Sequence, residues 1–329
     1  MKKLFVLGSN SFSGSNFIDL MLKKDFEIIG CSRSKEYQSV YLPYKKNNNL
    51  KKFKFFQLDI NKDLEEIICM INKFKPEYIV NFLAQGMVAE SWKSPTDWYE
   101  TNLMAQVKFH DSIRNFAFIK KYLHFTTPEV YGSTSGWTKE NYIFAPNSPY
   151  AVSRAACDLH LMSFYNNYNF PVVFTRAANV FGEHQQLYRI VPQTIMRILR
   201  GEKLDLHGGG LSERSFIHID DVSAATSKAL LKGRPGETYH ISMESKLSIK
   251  ELVIKICQIL NVTFDDSVKI SDERLGKDFS YALDSSKIRS EFNWEEKISL
   301  DKGIKKTISW VKENFESLNN EPLEYFHKK

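Results

Sequence analysis

The chain has 329 residues, 43% hydrophobic and 26% charged, which suits one large globular domain or two modest ones and excludes disordered and fibrous classes. Its net charge of +6 comes from scattered pairs such as Lys45-Lys46, Lys51-Lys52 and Lys305-Lys306, a solvated surface rather than a nucleic-acid-binding face. The four cysteines (Cys31, Cys69, Cys157, Cys257) show no paired spacing and no apolar run could span a bilayer, so neither a disulfide framework, a metal site nor a membrane protein is expected, and a cytoplasmic protein is.

The N-terminal "MKKLFVLGSN" is too short in its apolar part for a signal peptide and reads as a first strand. A helical "SNFIDLMLKK" follows, then strand-like "FEIIGCSR" and "FKFFQLDI", a helix from about Asp63 to Phe74, and "YIVNFLA". Next come a helix over about 97–117, the strand "KKYLHFTT", a helix from Ala151 to about Tyr168, and "PVVFTRAAN". Strands separated by single helices predict a doubly wound, Rossmann-type α/β fold with a parallel sheet. Beyond Asn179 short strands ("LDLHGGG", "RSFIHIDD", "ETYHISM") mix with helices, the last near 299–315. The expected division is residues 1–178, with segments about 215–243 returning to it, and a smaller mixed α/β lobe drawn mainly from 179–329. "KKNNNLKK" reads as a loop and "GGG" at 208–210 as a flexible turn.

"LGSNSFSGSNF" joins the first strand to the first helix. Gly8 and Gly14 bracket a turn whose backbone N–H groups can face a pyrophosphate, with Ser11, Phe12 and Ser13 between them. The pattern is G-x-x-G-x-x-G with Ser11 in the middle glycine's place. A strand-to-helix turn can need glycine for steric reasons alone, but its position after the first strand of an alternating pattern favours dinucleotide binding. The second strand ends in Ser32, Arg33 and Ser34 where an NAD enzyme often has an acid; a cation with two hydroxyls suits a 2′-phosphate, so NADP is expected, with NAD possible. The alternative for Arg33 is an exposed loop residue. Asp59 could address the adenine or simply cap a helix.

Tyr150 and Arg154 in "YAVSR" are one helical turn apart, where a cation favours a phenolate; alone, such a pair is usually a surface contact. The chain as a whole, however, resembles the extended short-chain dehydrogenase/reductase family, in its nucleotide-sugar 4,6-dehydratase branch (GDP-mannose and dTDP-glucose 4,6-dehydratases). The matching pieces run in order: the glycine turn, "DI" at 59–60, "NFLAQ" at 81–85, "TPEVYG" at 127–132, "SPYAVSR" at 148–154, "RAANVFG" at 176–182, "RSFIHIDD" at 214–221 and "RLGKDFSYALD" at 274–284.

The resemblance implies that Thr127 orients a sugar C4 hydroxyl, Tyr150 takes its proton, and hydride passes to the cofactor. Arg154 stands where the family has lysine. Glu129 matches the glutamate that removes the C5 proton in 4,6-dehydratases, and extended backbone would project Thr127 and Glu129 to one side; Pro128 replaces an aspartate or serine. Without the resemblance, Glu129 would read as a surface carboxylate at a strand end. Cofactor contacts are expected from Gly8, Ser11, Phe12, Ser13, Gly14, Ser32, Arg33, Ser34, Asp59, Ile60, Leu83, Ala84, Gln85, Tyr150 and Arg154. A nucleoside-diphosphate sugar is expected to meet Gln85, Met87, Thr127, Glu129, Asn179, Arg189, Arg214, Arg274 and Asp278. The histidines show no ligand spacing and no metal is expected. The helices near 97–117 and 151–168 are expected to pair in a homodimer, with Ala151, Ala155 and Ala156 permitting close approach. The alternatives are a 4-epimerase, decarboxylase or C4 oxidoreductase of the same family, or a weakly catalytic cofactor-binding module.

Overall fold

The computed structural model describes residues 1–272 and 280–327. Seven strands, β1 (Lys3–Leu7), β2 (Glu27–Ser32), β3 (Phe53–Gln57), β4 (Tyr78–Asn81), β5 (Lys121–Thr126), β6 (Val172–Ala177) and β7 (Thr238–Ile241), form a sheet in the order β7-β6-β5-β4-β1-β2-β3. Every pairing in it is parallel. The doubly wound parallel sheet expected from the sequence is therefore present, and the strand order reverses at β1, opening a crevice between the ends of β1 and β4.

Strand β1 shows why the sheet is covered on both faces. Leu4 and Val6 belong to one apolar cluster and Phe5 and Leu7 to another, and all four are fully buried. A side-chain period of two with no polar face requires a helical layer on each side. Helices α1 (Phe12–Lys23) and α6 (Ile219–Lys232) supply Phe17, Ile18, Val222 and Ala225 to the first cluster. Helices α2 (Leu64–Phe74), α3 (Ala105–Ile113) and α4 (Pro149–Tyr168) supply Ile67, Ile71, Phe109, Ile113 and Leu161 to the second. A third cluster lies among α5 (Ile190–Leu199), α7 (Ile249–Leu260) and α9 (Leu300–Glu313), through Val191, Ile195, Leu252, Ile256, Ile304 and Ile308. Between α7 and α9 runs α8 (Ser286–Phe292).

Several elements differ from the sequence expectation, each for a local reason. The helix placed at 97–117 is a helix over Pro95–Tyr99, a π-turn over Glu100–Met104, and α3. In the π-turn Thr101 and Asn102 are both buried, and such a turn often marks a functional site. Helix α4 starts at Pro149 instead of Ala151, because Ser148 caps it by accepting from Ala151 N at 3.2 Å and proline fits the first helical position. "KKNNNLKK" contains ordered turns: Asn47 donates to the Asp19 carboxylate at 2.7 Å and Asn49 to Leu22 O at 3.0 Å. Ala151 and Ala155 face the protein's own interior, so they are not available to a partner chain; the exposed large apolar residues of α4 are Val152, Leu159 and Tyr168.

Beneath the carboxyl end of β5 lies a fully buried ion pair. Arg176 on β6 donates to Asp158 on α4 at 2.9 Å, and the Thr126 hydroxyl donates to the same oxygen at 3.0 Å. Burial raises the Asp158 pKa, against the pull of Arg176 and Arg154. Replacing Arg176 by Met would strand this carboxylate in the interior. The expected cost is about 3–5 kcal/mol in urea unfolding, partly recovered in the double variant Asp158→Leu/Arg176→Met.

Candidate active site

The turn after β1 is built by steric exclusion. Gly8 has φ +77, and a Cβ there would stand 2.8 Å from Leu83 N. A side chain at Gly14 would strike the Gly8 carbonyl oxygen. Ser11, in the place of the middle glycine, keeps φ at −68 and so needs no glycine. Its hydroxyl donates to Gly8 O at 2.7 Å and accepts from Gly14 N at 3.0 Å, which caps α1. The Gly14 N–H is thereby used within the turn, and Gly14 acts by its lack of a side chain.

Asn10, unmarked in the sequence reading, ties this turn to the end of β2. Its backbone N–H donates to Ser32 Oγ at 3.0 Å, and its side chain donates to Ser34 O and Lys35 O at 2.9 and 2.8 Å. The Ser32 hydroxyl is therefore engaged by the turn. Arg33 extends towards the loop after β4, where the carboxamide oxygen of Gln85 accepts from its guanidinium at 2.8 and 3.3 Å. Asp59 accepts from Asn61 N at 3.0 Å, a local turn contact.

Asn102 of the π-turn fixes the loop after β4. Its side chain accepts from Gln85 N at 2.8 Å, donates to Gln85 O at 3.1 Å and donates to Ser153 Oγ at 3.0 Å. Ser153 in turn donates to Tyr150 O at 2.7 Å. One buried amide thus joins the cleft loop to the helix that carries Tyr150. Nothing in the sequence distinguished Asn102 from any other helical asparagine.

Thr127 and Glu129 share the cleft, but not by strand alternation. Strand β5 ends at Thr126, and Pro128–Tyr131 form a 3₁₀ turn capped by Thr127, whose Oγ1 accepts from Glu129 N at 3.4 Å. Pro128 occupies the first position of that turn and leaves Thr127 extended, at φ −135 and ψ 148. The Thr127 hydroxyl is hydrogen-bonded to Tyr150. Tyr281 donates to Glu129 Oε1 at 3.3 Å and to Asn179 Oδ1 at 2.8 Å.

Tyr150 is nearly buried, in the first turn of α4. Its pKa is raised, by burial first and by Glu129 second, while Arg154, Thr127 and Arg189 pull it down. The expectation that Arg154 sets the phenol's acidity meets a larger opposing effect of desolvation. Arg154 donates to Leu83 O at 3.4 Å and makes a short bond to Phe125 O.

Most of these groups line one cleft of about 760 Å³, with Gly14, Asn102 and Ser153 behind its wall, and its size is within the range of small-molecule sites. Gly8, Ser11, Phe12, Ser13, Ser32, Arg33, Ser34, Asp59 and Ile60 border one part of it. Leu83, Ala84, Gln85, Met87, Thr127, Glu129, Tyr150, Arg154, Asn179 and Arg189 complete the predicted lining. Arg214 lies off this wall, its guanidinium 4.3 Å over the Tyr281 ring, which does line it. Arg274 and Asp278 fall outside the described residues. Tyr37, Tyr188, Glu321, Pro322 and residues 324–326 also border the cleft, a contribution no motif announced. Among the described residues no group of three or more His, Cys, Asp or Glu is placed to hold a metal ion, and no helix is long and apolar enough to cross a membrane.

The family model for GDP-mannose 4,6-dehydratase matches residues 5–307. The chain belongs to that family. Within it, the chain is 30% identical over 333 residues to the dTDP-D-glucose 4,6-dehydratases of Homo sapiens and Bos taurus; the alignments cover 97% of this chain and 92% and 91% of theirs. The crystal structure of the dTDP-glucose 4,6-dehydratase DesIV from Streptomyces venezuelae, with NAD and TYD bound, superposes with a TM-score of 0.88 at 28% identity, covering 96% of this chain and 98% of that one. The Bacillus anthracis dTDP-glucose 4,6-dehydratase in complex with NAD gives 0.84 at 28% identity, with the same coverage. A UDP-glucose 4-epimerase from Thermotoga maritima gives 0.84 at 24% identity, a likeness of fold alone. The resemblance read from the motifs is thus confirmed as membership of the nucleotide-sugar 4,6-dehydratase branch, whose enzymes are NAD(P)-dependent hydro-lyases.

Proposed function

We propose that the chain is an NAD(P)-dependent nucleotide-sugar 4,6-dehydratase in which Thr127, Tyr150 and Glu129 act in that order on one sugar ring. The observation that carries this reading is Glu129. Its carboxylate borders the same cleft as the Thr127–Tyr150 pair and is near enough to raise the Tyr150 pKa. The glycine turn, which a Cβ at position 8 or 14 would fill, together with the capped start of α1, fits a dinucleotide diphosphate. A nicotinamide held beside this turn would supply the hydride acceptor for sugar C4 and the hydride donor for C6.

Thr127 orients the C4 hydroxyl and Tyr150 takes its proton as general base. With C4 a ketone, the C5 proton is acidic and Glu129 removes it. Pro128 supplies no proton, so Glu129 returns the one it has taken to the departing C6 hydroxyl, which leaves as water; the enolate left by hydride return at C6 then takes a proton at C5 from solvent by way of Glu129. Arg154 serves as a fixed cation near Tyr150, and Arg189, whose charge also reaches Tyr150, meets the diphosphate.

Changing Glu129 to Gln keeps the shape and removes the base. C4 oxidation is expected to survive while water loss and solvent deuterium entry at C5 disappear, read by mass analysis over a panel of UDP-, GDP-, dTDP- and CDP-sugars. The charge change also has a sign: without its anionic neighbour the Tyr150 phenol titrates lower. The alkaline rise of the C4 oxidation rate should move to lower pH. An unchanged-mass epimer from the wild type would overturn the reading.

For the cofactor, Arg33 at the end of β2, with no acid beside it, supports NADP, whereas the solved relatives carry NAD. Arg33→Ala is expected to weaken NADPH about tenfold more than NADH in fluorescence titrations. Equal losses would remove NADP preference from the proposal. We further infer a homodimer through the helices about Met104 and α4, whose Met104, Val152 and Leu159 are exposed. Val152→Glu with Leu159→Glu should give a monomer in light scattering, and an unchanged mass would refute this interface.

A further inference from the structure

The residues after α9 make contacts that neither the motifs nor the proposed chemistry use. Leu318 and Leu323 are buried in the cluster under α5. Arg200 donates to Leu318 O and Glu321 O at 3.2 and 3.1 Å, Gln193 donates to Leu323 O at 2.8 Å, and Arg197 pairs with Glu324 at 2.7 Å. This much fastens the segment to α5, beside Arg189. The segment then crosses to the other bank. Glu321 accepts from Gln38, in the loop after β2, at 2.7 Å. The His327 ring stacks on fully buried Trp98 at 4.8 Å, and its Nε2 lies 2.6 Å from Asp97 Oδ2.

Between these two anchorages Glu321, Pro322, Glu324, Tyr325 and Phe326 border the cleft that holds the glycine turn and Tyr150. The Tyr325 ring meets Tyr188 edge-on at 5.2 Å. Its phenol, raised in pKa by burial and by Tyr188, is within electrostatic reach of both Arg33 and Arg189. Two guanidiniums from opposite banks and phenols between them suit a ligand that carries phosphate and flat rings.

We propose that Glu321–His327 is a strap that closes over a bound nucleotide, with Tyr325 a ligand-contacting residue and the His327–Asp97–Trp98 contact its latch. The ligand class is a diphosphate-bearing nucleotide, either the dinucleotide cofactor on the Arg33 bank or the nucleoside diphosphate of the substrate on the Arg189 bank. A cofactor that kept its place from cycle to cycle would lose nothing in turnover to a cover that slows its release. The proposal rests on the reading of this cleft as a nucleotide site, but not on dehydration.

The test uses the full chain carrying His327→Ala, Tyr325→Ala or Tyr325→Phe. Release of NADPH is followed by its own fluorescence on chase with NADP, and release of fluorescently labelled UDP, GDP and dTDP by the same method. His327→Ala and Tyr325→Ala are expected to speed release of one ligand class by about tenfold, 1.4 kcal/mol, with unchanged melting temperature. Faster NADPH release assigns the strap to the cofactor; faster diphosphate release assigns it to the substrate. Tyr325→Phe releasing like the wild type, while Tyr325→Ala releases faster, would support contact through the ring. Release within twofold of wild type for every ligand in both alanine variants would overturn the strap. Failure of the wild type to bind any dinucleotide would instead overturn the reading of the cleft.

Discussion

Arg154 reaches from the second turn of α4 to the carbonyl oxygens of Leu83 and Phe125, just past β4 and at the end of β5. These acceptors lie where the parallel ladder runs out, and a buried carbonyl without a donor is costly. A guanidinium can serve both because its fork presents several N–H groups in one plane, which a lysine ammonium cannot do in the same way. The side chain therefore clamps α4 to the end of the sheet, and with it the register of Tyr150 one turn earlier. The same guanidinium thereby places the helix that carries Tyr150.

The rest of the site is hung on that clamp through polar side chains with buried ends. Asn102 couples the loop after β4 to Ser153, and Ser153 to the backbone of Tyr150. Asn10 couples the glycine turn to the loop after β2. Behind α4, Asp158 and Arg176 neutralise each other in the interior. A network of this kind fixes geometry more than it adds stability, since each desolvated group only recovers what burial took away. Its effect on chemistry is electrostatic. Tyr150 sits where desolvation and Glu129 hold its proton on, while Arg154 and Arg189 pull the other way.

The motifs were legible because each encodes a local requirement. Gly8 must be glycine at its positive φ, and the alternating strands and helices fix a parallel sheet. The pairing of Thr127 with Glu129 was also legible, although the geometry assumed for it was not what forms. A strand continuing through Pro128 would have aligned the two side chains by alternation; the chain instead turns at once into a 3₁₀ segment, and the capping hydroxyl of Thr127 brings them to the same cleft. Arg214 illustrates the opposite outcome. Its motif position suggested a diphosphate contact, yet its guanidinium stacks on Tyr281, which itself reaches Glu129.

What the sequence by itself determined was the order of local features along the chain: a glycine turn, a cation after β2, a Thr/Glu pair, a Tyr/Arg helix, all of which follow from spacing within a few residues. What only the tertiary structure decided was which distant residues share those neighbourhoods. Asn10, Asn102 and Tyr281, and the C-terminal segment with Tyr325, contact residues between 17 and 283 positions away. No local pattern records such a meeting, because it depends on the path of the whole chain and on the side chains that fill the space between.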